Sequence, residues 1–381
     1  MAMTAIDQLS VATAVGMTLS LLITGEAFAF TFTKIADTSG SFDSFGNFAI
    51  NNEGTVAFLA DLDAGGSGIF SVSDGTTTTL VDESGSFDYL SNLALNDQGT
   101  VAFSAFLEDV GGGIFTTNGE TTTTIFLDNS FYDIKSFDLN NRGTVAFSVD
   151  LRQSPNSDIF VNNDGAITSI NRDRFNFIYF SVDINNEDTV AFSGDLQGGP
   201  SGVFTSSDGV ITTIADSSGS FRTFSPPALN DEGTVTFVGY LDDGIAGIFT
   251  GNGEAVTSIV DDSGVFDILS PTTINNEDTV VFGASLNTGE YGIFTGADPI
   301  NDKVIATGDP LFGSTVTSLN FSNGLNNSGQ IAFLAELADG TEGIFVAEPE
   351  PLEPEPVPEP ASVMALLAVG VLSLGLRFKR Q

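Results

Sequence analysis

Residues 51–58 read Asn-Asn-Glu-Gly-Thr-Val-Ala-Phe, and close variants of this pattern recur six more times along the 381-residue chain. The first asparagine of each copy, called here the lead asparagine, falls at Asn51, Asn96, Asn140, Asn185, Asn230, Asn275 and Asn326. Successive copies lie 45, 44, 45, 45, 45 and 51 residues apart. A period this regular indicates that each repeat is one supersecondary unit that buries its apolar faces against its neighbours.

One repeat contains four short extended segments. Large and small apolar side chains alternate over residues 55–62, which is the period of a β-strand. A Gly-rich hairpin leads to a second strand at Ile69, and two more extended stretches follow at residues 76–81 and 87–95. Four strands in about 45 residues are typical of a β-propeller blade.

The two ends of the repeat array indicate a closed ring. Residues 31–40 resemble the last quarter of a repeat, such as residues 212–219, whereas the seventh repeat stops at Val346 without that quarter. An open stack of repeats would need polar caps at both ends, and a ring needs none. We therefore predict an all-β fold, a seven-bladed β-propeller over residues 30–347, in which the N-terminal strand completes the last blade.

The Asn-x-x-Gly pattern has an explanation in turn chemistry. An Asn side chain can accept hydrogen bonds from main-chain amides two residues on, and Gly tolerates a left-handed backbone. Asp188 and Asp278 replace that Gly, and Asp is among the few residues that adopt this conformation. The lead asparagines are therefore predicted to shape turns, and a ligand-binding role is the alternative.

Composition excludes several classes of function. Fifty acidic residues against 11 basic ones give a net charge of -39, which opposes nucleic-acid binding. The chain has no Cys and no His, so a disulfide, a Cys/His zinc site and a Ser-His-Asp triad are all excluded. Catalysis would depend on carboxylates, Tyr, Lys or Arg, which leaves glycan hydrolysis or lyase chemistry. No catalytic residue and no cofactor is assigned.

Calcium is the one metal that the acidic turns bring into consideration. Asp37, Asp82, Asp216 and Asp261 occupy one equivalent turn position in four repeats. A calcium site needs about six converging oxygens, and no contiguous calcium-binding loop is present in the sequence. Capping of the turns is the expected role of these acids.

The N-terminus is predicted to be a signal peptide, residues 1–29. A mildly apolar stretch over residues 11–24 is followed by Ala27 and Ala29, which fit the small-x-small rule for signal peptidase cleavage before Phe30. A non-cleaved N-terminal segment is the alternative.

The C-terminus carries a second targeting signal. An acidic, Pro-rich spacer at residues 348–356 precedes residues 357–381, which hold Pro358, Glu359 and Pro360, a short apolar run and a basic end. This arrangement resembles the PEP-CTERM sorting signal. The resemblance implies transient anchoring by a C-terminal transmembrane helix, recognition by an exosortase-type enzyme, and export to the surface or extracellular matrix of a Gram-negative bacterium. An ordinary membrane anchor is the alternative.

The repeat itself resembles the NxxGxxAF tandem repeat of exported bacterial proteins and, more loosely, the propeller repeats of the TolB type. The resemblance covers about residues 30 to 347. It implies a repeat domain joined to an anchor, and it provides no catalytic residues.

Candidate binding residues lie where the repeats depart from their own pattern. Arg142, Arg152, Arg172 and Arg174, together with Lys135, place five of the 11 basic residues in blades three and four. Such a basic cluster suits the carboxylate or sulfate of an acidic polysaccharide, and internal ion pairs are the alternative.

These observations favour an exported, surface- or matrix-associated binding or structural module for carbohydrate (an exopolysaccharide, for example) or other surface proteins. The alternative is a carboxylate-dependent glycan-active enzyme, a hydrolase or a lyase, on a propeller scaffold. Paired acids at the centre of the ring would favour the enzyme.

Overall fold

The computed structural model describes residues 30–108, 110–127, 131–151, 157–170, 174–322 and 324–350. These residues form strands, turns and loops, and no helix within them is long and apolar enough to cross a membrane. The predicted signal peptide and sorting segment, with Ala27, Ala29 and residues 358–360, lie outside the described residues.

The first half of the chain contains thirteen strands: β1 (Phe30–Asp37), β2 (Phe42–Ile50), β3 (Val56–Leu62), β4 (Ser67–Ser73), β5 (Thr76–Asp82), β6 (Phe87–Leu95), β7 (Val101–Leu107), β8 (Gly111–Thr117), β9 (Thr122–Leu127), β10 (Phe131–Leu139), β11 (Val145–Leu151), β12 (Ser157–Asn163) and β13 (Ala166–Ser169). The second half contains β14 (Phe175–Ile184), β15 (Val190–Leu196), β16 (Ser201–Ser207), β17 (Val210–Asp216), β18 (Phe221–Phe224), β19 (Ala228–Leu229), β20 (Val235–Leu241), β21 (Ala246–Gly251), β22 (Val256–Asp261), β23 (Phe266–Ile274), β24 (Val280–Leu286), β25 (Tyr291–Phe294), β26 (Lys303–Ala306), β27 (Pro310–Leu311), β28 (Ser314–Asn320), β29 (Ile331–Leu337) and β30 (Glu342–Pro349).

The strands form seven antiparallel sheets, which are the blades of a β-propeller, as predicted. Blades 1 to 4 are β2–β5, β6–β9, β10–β13 and β14–β17, each in consecutive order. Blade 6 is β23–β26. In blade 5 the inner strand is divided into β18 and β19, because Pro226 and Pro227 provide no amide hydrogens for the ladder.

The ring closes in the way that the sequence predicts. Blade 7 has the order β1-β30-β29-β28-β27, in which β27 is a two-residue strand, and the N-terminal strand β1 forms its outer edge. The pairing runs from Phe30 opposite Pro349 to Asp37 opposite Gly343. Strand β30 therefore extends two residues beyond the predicted end of the domain at residue 347.

Phenylalanine fills the core of every blade. The Phe of the Ala-Phe pattern and the Phe of the following strand are register partners, with ring centroids 5.7 to 5.9 Å apart in the pairs Phe58–Phe70, Phe103–Phe115, Phe147–Phe160, Phe192–Phe204, Phe237–Phe249, Phe282–Phe294 and Phe333–Phe345. Apolar clusters extend from one blade to the next, since Phe58 of blade 1 packs in one cluster with Ile344 of blade 7. The blades are thus held together by the same side chains that fill them.

Blade 7 departs from this packing and compensates for it. In blade 1 a third ring, Phe42, lies edge-on to Phe70, but the equivalent inner-strand position of blade 7 is Val316. Phe312, in the turn between β27 and β28, stacks on Phe345 instead, at 5.5 Å. Its backbone is in the left-handed region, with φ of 46°, which is uncommon for an aromatic residue.

The two faces of the ring differ in what they carry. The lead asparagines and their turns join the first strand of each blade to the second, and they form what we call the belt face. The opposite end, called the hairpin face, carries the hairpins between the second and third strands, such as residues 63–66, and the Asp-x-Ser-Gly turns.

Candidate functional site

The lead asparagines shape their own turns. The Oδ1 atom of Asn51 accepts hydrogen bonds from the main-chain amides of Glu53 (3.1 Å) and Thr55 (2.9 Å). The bond to the amide four residues on recurs in all seven turns, at 2.8 to 3.0 Å. The prediction that these side chains cap turns is therefore confirmed.

The same side chains also join each blade to the next. The Nδ2 atom of each lead asparagine donates a hydrogen bond of 2.9 to 3.2 Å to the main-chain oxygen of the lead asparagine in the following blade. The seventh, Asn326, donates to the oxygen of Asn51 and so completes a circle. All seven side chains are 3 to 5% exposed. This inter-blade role needs an amide, which accepts and donates at once.

A second circle surrounds the first. The residue after each lead asparagine is Asn or Asp, and its Oδ1 atom accepts the main-chain amide of the equivalent residue in the preceding blade, at 2.8 to 2.9 Å. Two of the seven, Asp97 and Asp231, also accept amide groups from both neighbouring blades through Oδ2. We call the two circles together the belt. The sequence shows which residues repeat, but it does not show that they bond to one another.

The belt surrounds a polar cavity of about 160 Å³. Its rim is acidic, because the residue two positions after the lead asparagine is an exposed Glu in four blades: Glu53, Glu187, Glu232 and Glu277. Among the described residues no group of three or more acidic side chains is arranged to hold a metal ion.

Of the four predicted arginines the structure describes two, Arg142 and Arg174, and these lie at opposite ends of the ring. Arg142 lies on the belt rim and forms ion pairs with Glu187 (3.0 Å) and Asp188 (3.2 Å) of the next blade. Arg174 is exposed on the hairpin face, just before β14, and roughly 30 Å of strand separates the two faces. Arg142 and Arg174 are therefore not brought together. Arg152 and Arg172 lie outside the described residues.

Two acids on the innermost strands are not among the site residues that the sequence predicts. Asp138 on β10 and Asp183 on β14 lie two residues before the lead asparagines of blades 3 and 4. The other five blades have small residues at this position: Ala49, Ala94, Ala228, Thr273 and Gly324. This substitution of Asp for a small residue in two successive repeats is the sequence signal that could have identified the pair.

The two acids are bonded to each other and to the following blades. Asp138 Oδ2 accepts the amide of Ile184 (3.0 Å), and Asp183 Oδ2 accepts the amide of Leu229 (2.7 Å). The Asp183 carboxyl also forms a hydrogen bond with Asp138. Although Asp183 keeps some contact with solvent, desolvation by the surrounding protein raises its pKa well above the usual range, and the Asp138 charge raises it further. Both effects favour the protonated form of the Asp183 carboxyl.

The turn acids act as caps. The Oδ1 atom of each of Asp37, Asp82, Asp216 and Asp261 accepts bonds from the main-chain amide and the hydroxyl of the serine two residues on. This is the role that the sequence predicts for them.

Comparison with protein families gives two matches. The model of a family of unknown function, DUF7453, matches residues 112–253 and 311–363, which together are just over half of the chain. The PEP-CTERM protein-sorting motif matches residues 356–381, so the sorting signal is confirmed. The resemblance to the NxxGxxAF repeat is not confirmed by these comparisons. A search of the curated proteins finds no match.

Several solved structures share the fold. An oligogalacturonate lyase from Vibrio parahaemolyticus is 12% identical, with a TM-score of 0.56, and the match covers 85% of this chain and 98% of that one. An oligogalacturonate lyase in complex with manganese is 11% identical, with a TM-score of 0.54 and coverage of 86% and 98%. An acylaminoacyl peptidase from Pyrococcus horikoshii is 12% identical, with a TM-score of 0.52 and coverage of 81% and 51%. At such identities the likeness concerns the fold alone.

Proposed function

We propose that this chain, which belongs to the DUF7453 family of unknown function, is an exported β-propeller whose two faces have different roles. The cell holds the protein by its belt face. The hairpin face binds carbohydrate or other surface proteins. The PEP-CTERM signal directs export to the bacterial cell envelope and processing by an exosortase-type enzyme. A Gram-negative surface or its extracellular matrix is the proposed destination.

The observation that carries this proposal is the place where the chain leaves the ring. Phe30 and Pro349 are paired partners, and both lie at the belt end of blade 7. Gln330, in the last belt turn, donates to Glu348 at 3.4 Å. The sorting motif begins at residue 356, so it is only seven residues from the end of β30, a distance of at most about 25 Å along the chain.

The two faces suit different roles. On the belt face the repeated Asn and Asp side chains bond to one another and hold the blades together, so their polar groups are engaged within the ring. The hairpin face carries the loops in which the repeats differ, including the exposed Arg174. Variable loops on a rigid scaffold are where binding residues are usually found.

The orientation can be measured because the chain contains no Cys. Glu277→Cys places a label on the belt rim of blade 6, and Thr288→Cys places one on the hairpin face of the same blade; both positions are exposed. In liposomes that hold the full chain by its tail, energy transfer to a lipid-bound acceptor should be stronger from position 277. Equal transfer, or stronger transfer from position 288, would contradict attachment through the belt face.

Carbohydrate binding is tested with a glycan array. The labelled wild-type protein should bind saccharides, and the variant with both Arg172→Ala and Arg174→Ala should lose acidic ones if those arginines hold carboxylate or sulfate groups. Thr288→Cys is the control for an unrelated change on the same face. An array without signal for the wild type would remove carbohydrate as the ligand class.

A carboxylate-dependent, glycan-active enzyme is the second candidate function, because Asp138 and Asp183 form a pair of acids on the innermost strands. Glycosidases separate their two carboxyl groups by about 5 to 9.5 Å, whereas two directly hydrogen-bonded carboxyls are closer than that. Each acid also accepts an amide hydrogen from the next blade. This geometry suits a structural bond better than hydrolysis. Release of reducing ends from a polysaccharide by the wild type, abolished in Asp183→Asn, would establish the enzyme instead.

A further inference from the structure

Two aromatic side chains are exposed together on the hairpin-face end of blade 2. Tyr89 on β6 is 61% exposed and Phe106 on β7 is 49% exposed. They are direct cross-strand partners, so both rings lie on the same side of the sheet. On the other side of Phe106, its partner in β8 is Gly112, which has no side chain to cover the ring. The two rings thus form an open apolar surface.

The equivalent positions in blade 1 show what the repeat does without these rings. They hold Ser44 and Asp61, whose side chains are hydrogen-bonded at 2.8 Å. The core of blade 2 is already filled by the three rings of Phe87, Phe103 and Phe115. Tyr89 and Phe106 are therefore not needed to fill the blade, and their exposure favours a role in binding.

The surroundings of the two rings indicate the chemistry of the ligand. The C–H faces of a pyranose pack well against aromatic rings, and two rings one strand apart offer room for a short stretch of a glycan chain. Asp88, beside Tyr89, and Glu108, two residues after Phe106, are exposed carboxylates that can accept hydrogen bonds from sugar hydroxyls. The same carboxylates repel uronate and sulfate groups, so a neutral chain fits best.

We propose that Tyr89 and Phe106 form a platform that binds a neutral polysaccharide. This inference rests on the proposed binding function and goes beyond it, because it names the residues and the class of sugar. The platform lies in blade 2, whereas Arg142 and Arg174 belong to blades 3 and 4.

The test compares the wild type with Tyr89→Ala and Phe106→Ala in affinity electrophoresis through gels that contain a neutral glucan, a neutral galactomannan or polygalacturonate. Each variant should bind the neutral polymers about tenfold more weakly, as loss of one stacking ring predicts. Tyr89→Phe should retain binding. Ile268→Ala is the matched control, since Ile268 occupies the equivalent position in blade 6 and is 59% exposed.

Other results would overturn the platform. Wild-type retardation by polygalacturonate alone would exclude neutral chains as its ligand. Neutral binding that both alanine variants keep would leave carbohydrate binding intact but place it elsewhere on the hairpin face. If sedimentation shows that the wild type is a dimer and the alanine variants are monomers with unchanged glycan binding, the rings form a contact between two copies of this chain.

Discussion

At the scale of single residues, Asp183 shows how the protein uses a group that is costly to bury. Its carboxyl accepts the Leu229 amide and is bonded to Asp138, so it links blades 3, 4 and 5 near the axis of the ring. The protonated form suits this arrangement, because it can donate to Asp138 and carries no charge. The repeat pattern marks Asp138 and Asp183 as departures, but only the fold shows that these two acids, 45 residues apart in the sequence, lie next to each other.

Stability should therefore depend on pH through Asp183. The pKa of this carboxyl is raised in the folded protein, so its contribution is complete below the unfolded pKa of about 4 and is lost as pH rises through the folded value. Asp183→Asn keeps an oxygen for Leu229 and a donor for Asp138 but removes the titration. We expect the melting temperature of the variant to match the wild type near pH 4 and to exceed it at pH 8 by about 2 °C or more.

The control for this prediction is Asp43→Asn, an exposed acid on the innermost strand of blade 1. The melting temperature of the Asp43→Asn variant should equal that of the wild type at both pH values. An Asp183→Asn variant that is equally destabilised at pH 4 and pH 8 would show that the raised pKa has no part in stability.

At the scale of the element, the Asn-x-x-Gly turn makes hydrogen bonds both within itself and to the next blade. Its local part follows from the sequence, because an Asx-type turn needs only an acceptor oxygen at the right distance. The inter-blade hydrogen bond does not follow from the sequence, because the carbonyl that accepts from Nδ2 belongs to the next repeat and only the closed ring brings the two groups together. The same limit applies to Arg142 and Arg174, which are close in the sequence but lie on opposite faces.

The two parts of the turn can be separated at Asn51. Asn51→Asp keeps the oxygen that accepts from Glu53 and Thr55 but removes the donor to Asn96, and it places a charge in a site that is 4% exposed. We expect the free energy of unfolding to fall by about 2 kcal/mol or more, as for other buried groups that lose a partner. Chemical denaturation of the wild type and the variant measures it.

Asn118→Asp is the matched control for this substitution. Asn118 also accepts two main-chain amides, those of Glu120 and Thr121 at 3.0 Å, but it lies in an exposed turn. Its free energy of unfolding should change by less than about 0.5 kcal/mol. Equal effects at positions 51 and 118 would mean that the lead asparagine acts only within its turn.

At the scale of the whole molecule, the sequence predicts the architecture well because the architecture is repetitive. Seven copies, four strands per copy and a missing quarter at one end are enough to give the number of blades and the closure by β1. The residues that differ between copies are harder to interpret. Tyr89 and Phe106 are ordinary strand residues until the fold shows that they are exposed, and Phe312 is a loop residue until its ring is seen to lie on Phe345.

Closure by β1 should therefore be required for the stability of the entire ring. Phe32 of this strand lies edge-on to Phe333 at 6.1 Å, and Ile35 and Ala36 pack in the cluster that joins blades 7 and 1. A chain that begins at residue 38 and ends at residue 350 would lose these contacts and expose the edge of β30. Relative to a chain of residues 30–350, its melting temperature should fall by about 10 °C or more, since each lost kcal/mol lowers it by roughly 2 to 4 °C.

A synthetic peptide of residues 30–37 should restore part of the difference, because it can pair with β30 again. Unchanged melting without β1 would show that three strands suffice in blade 7 and that the ring does not depend on its closure.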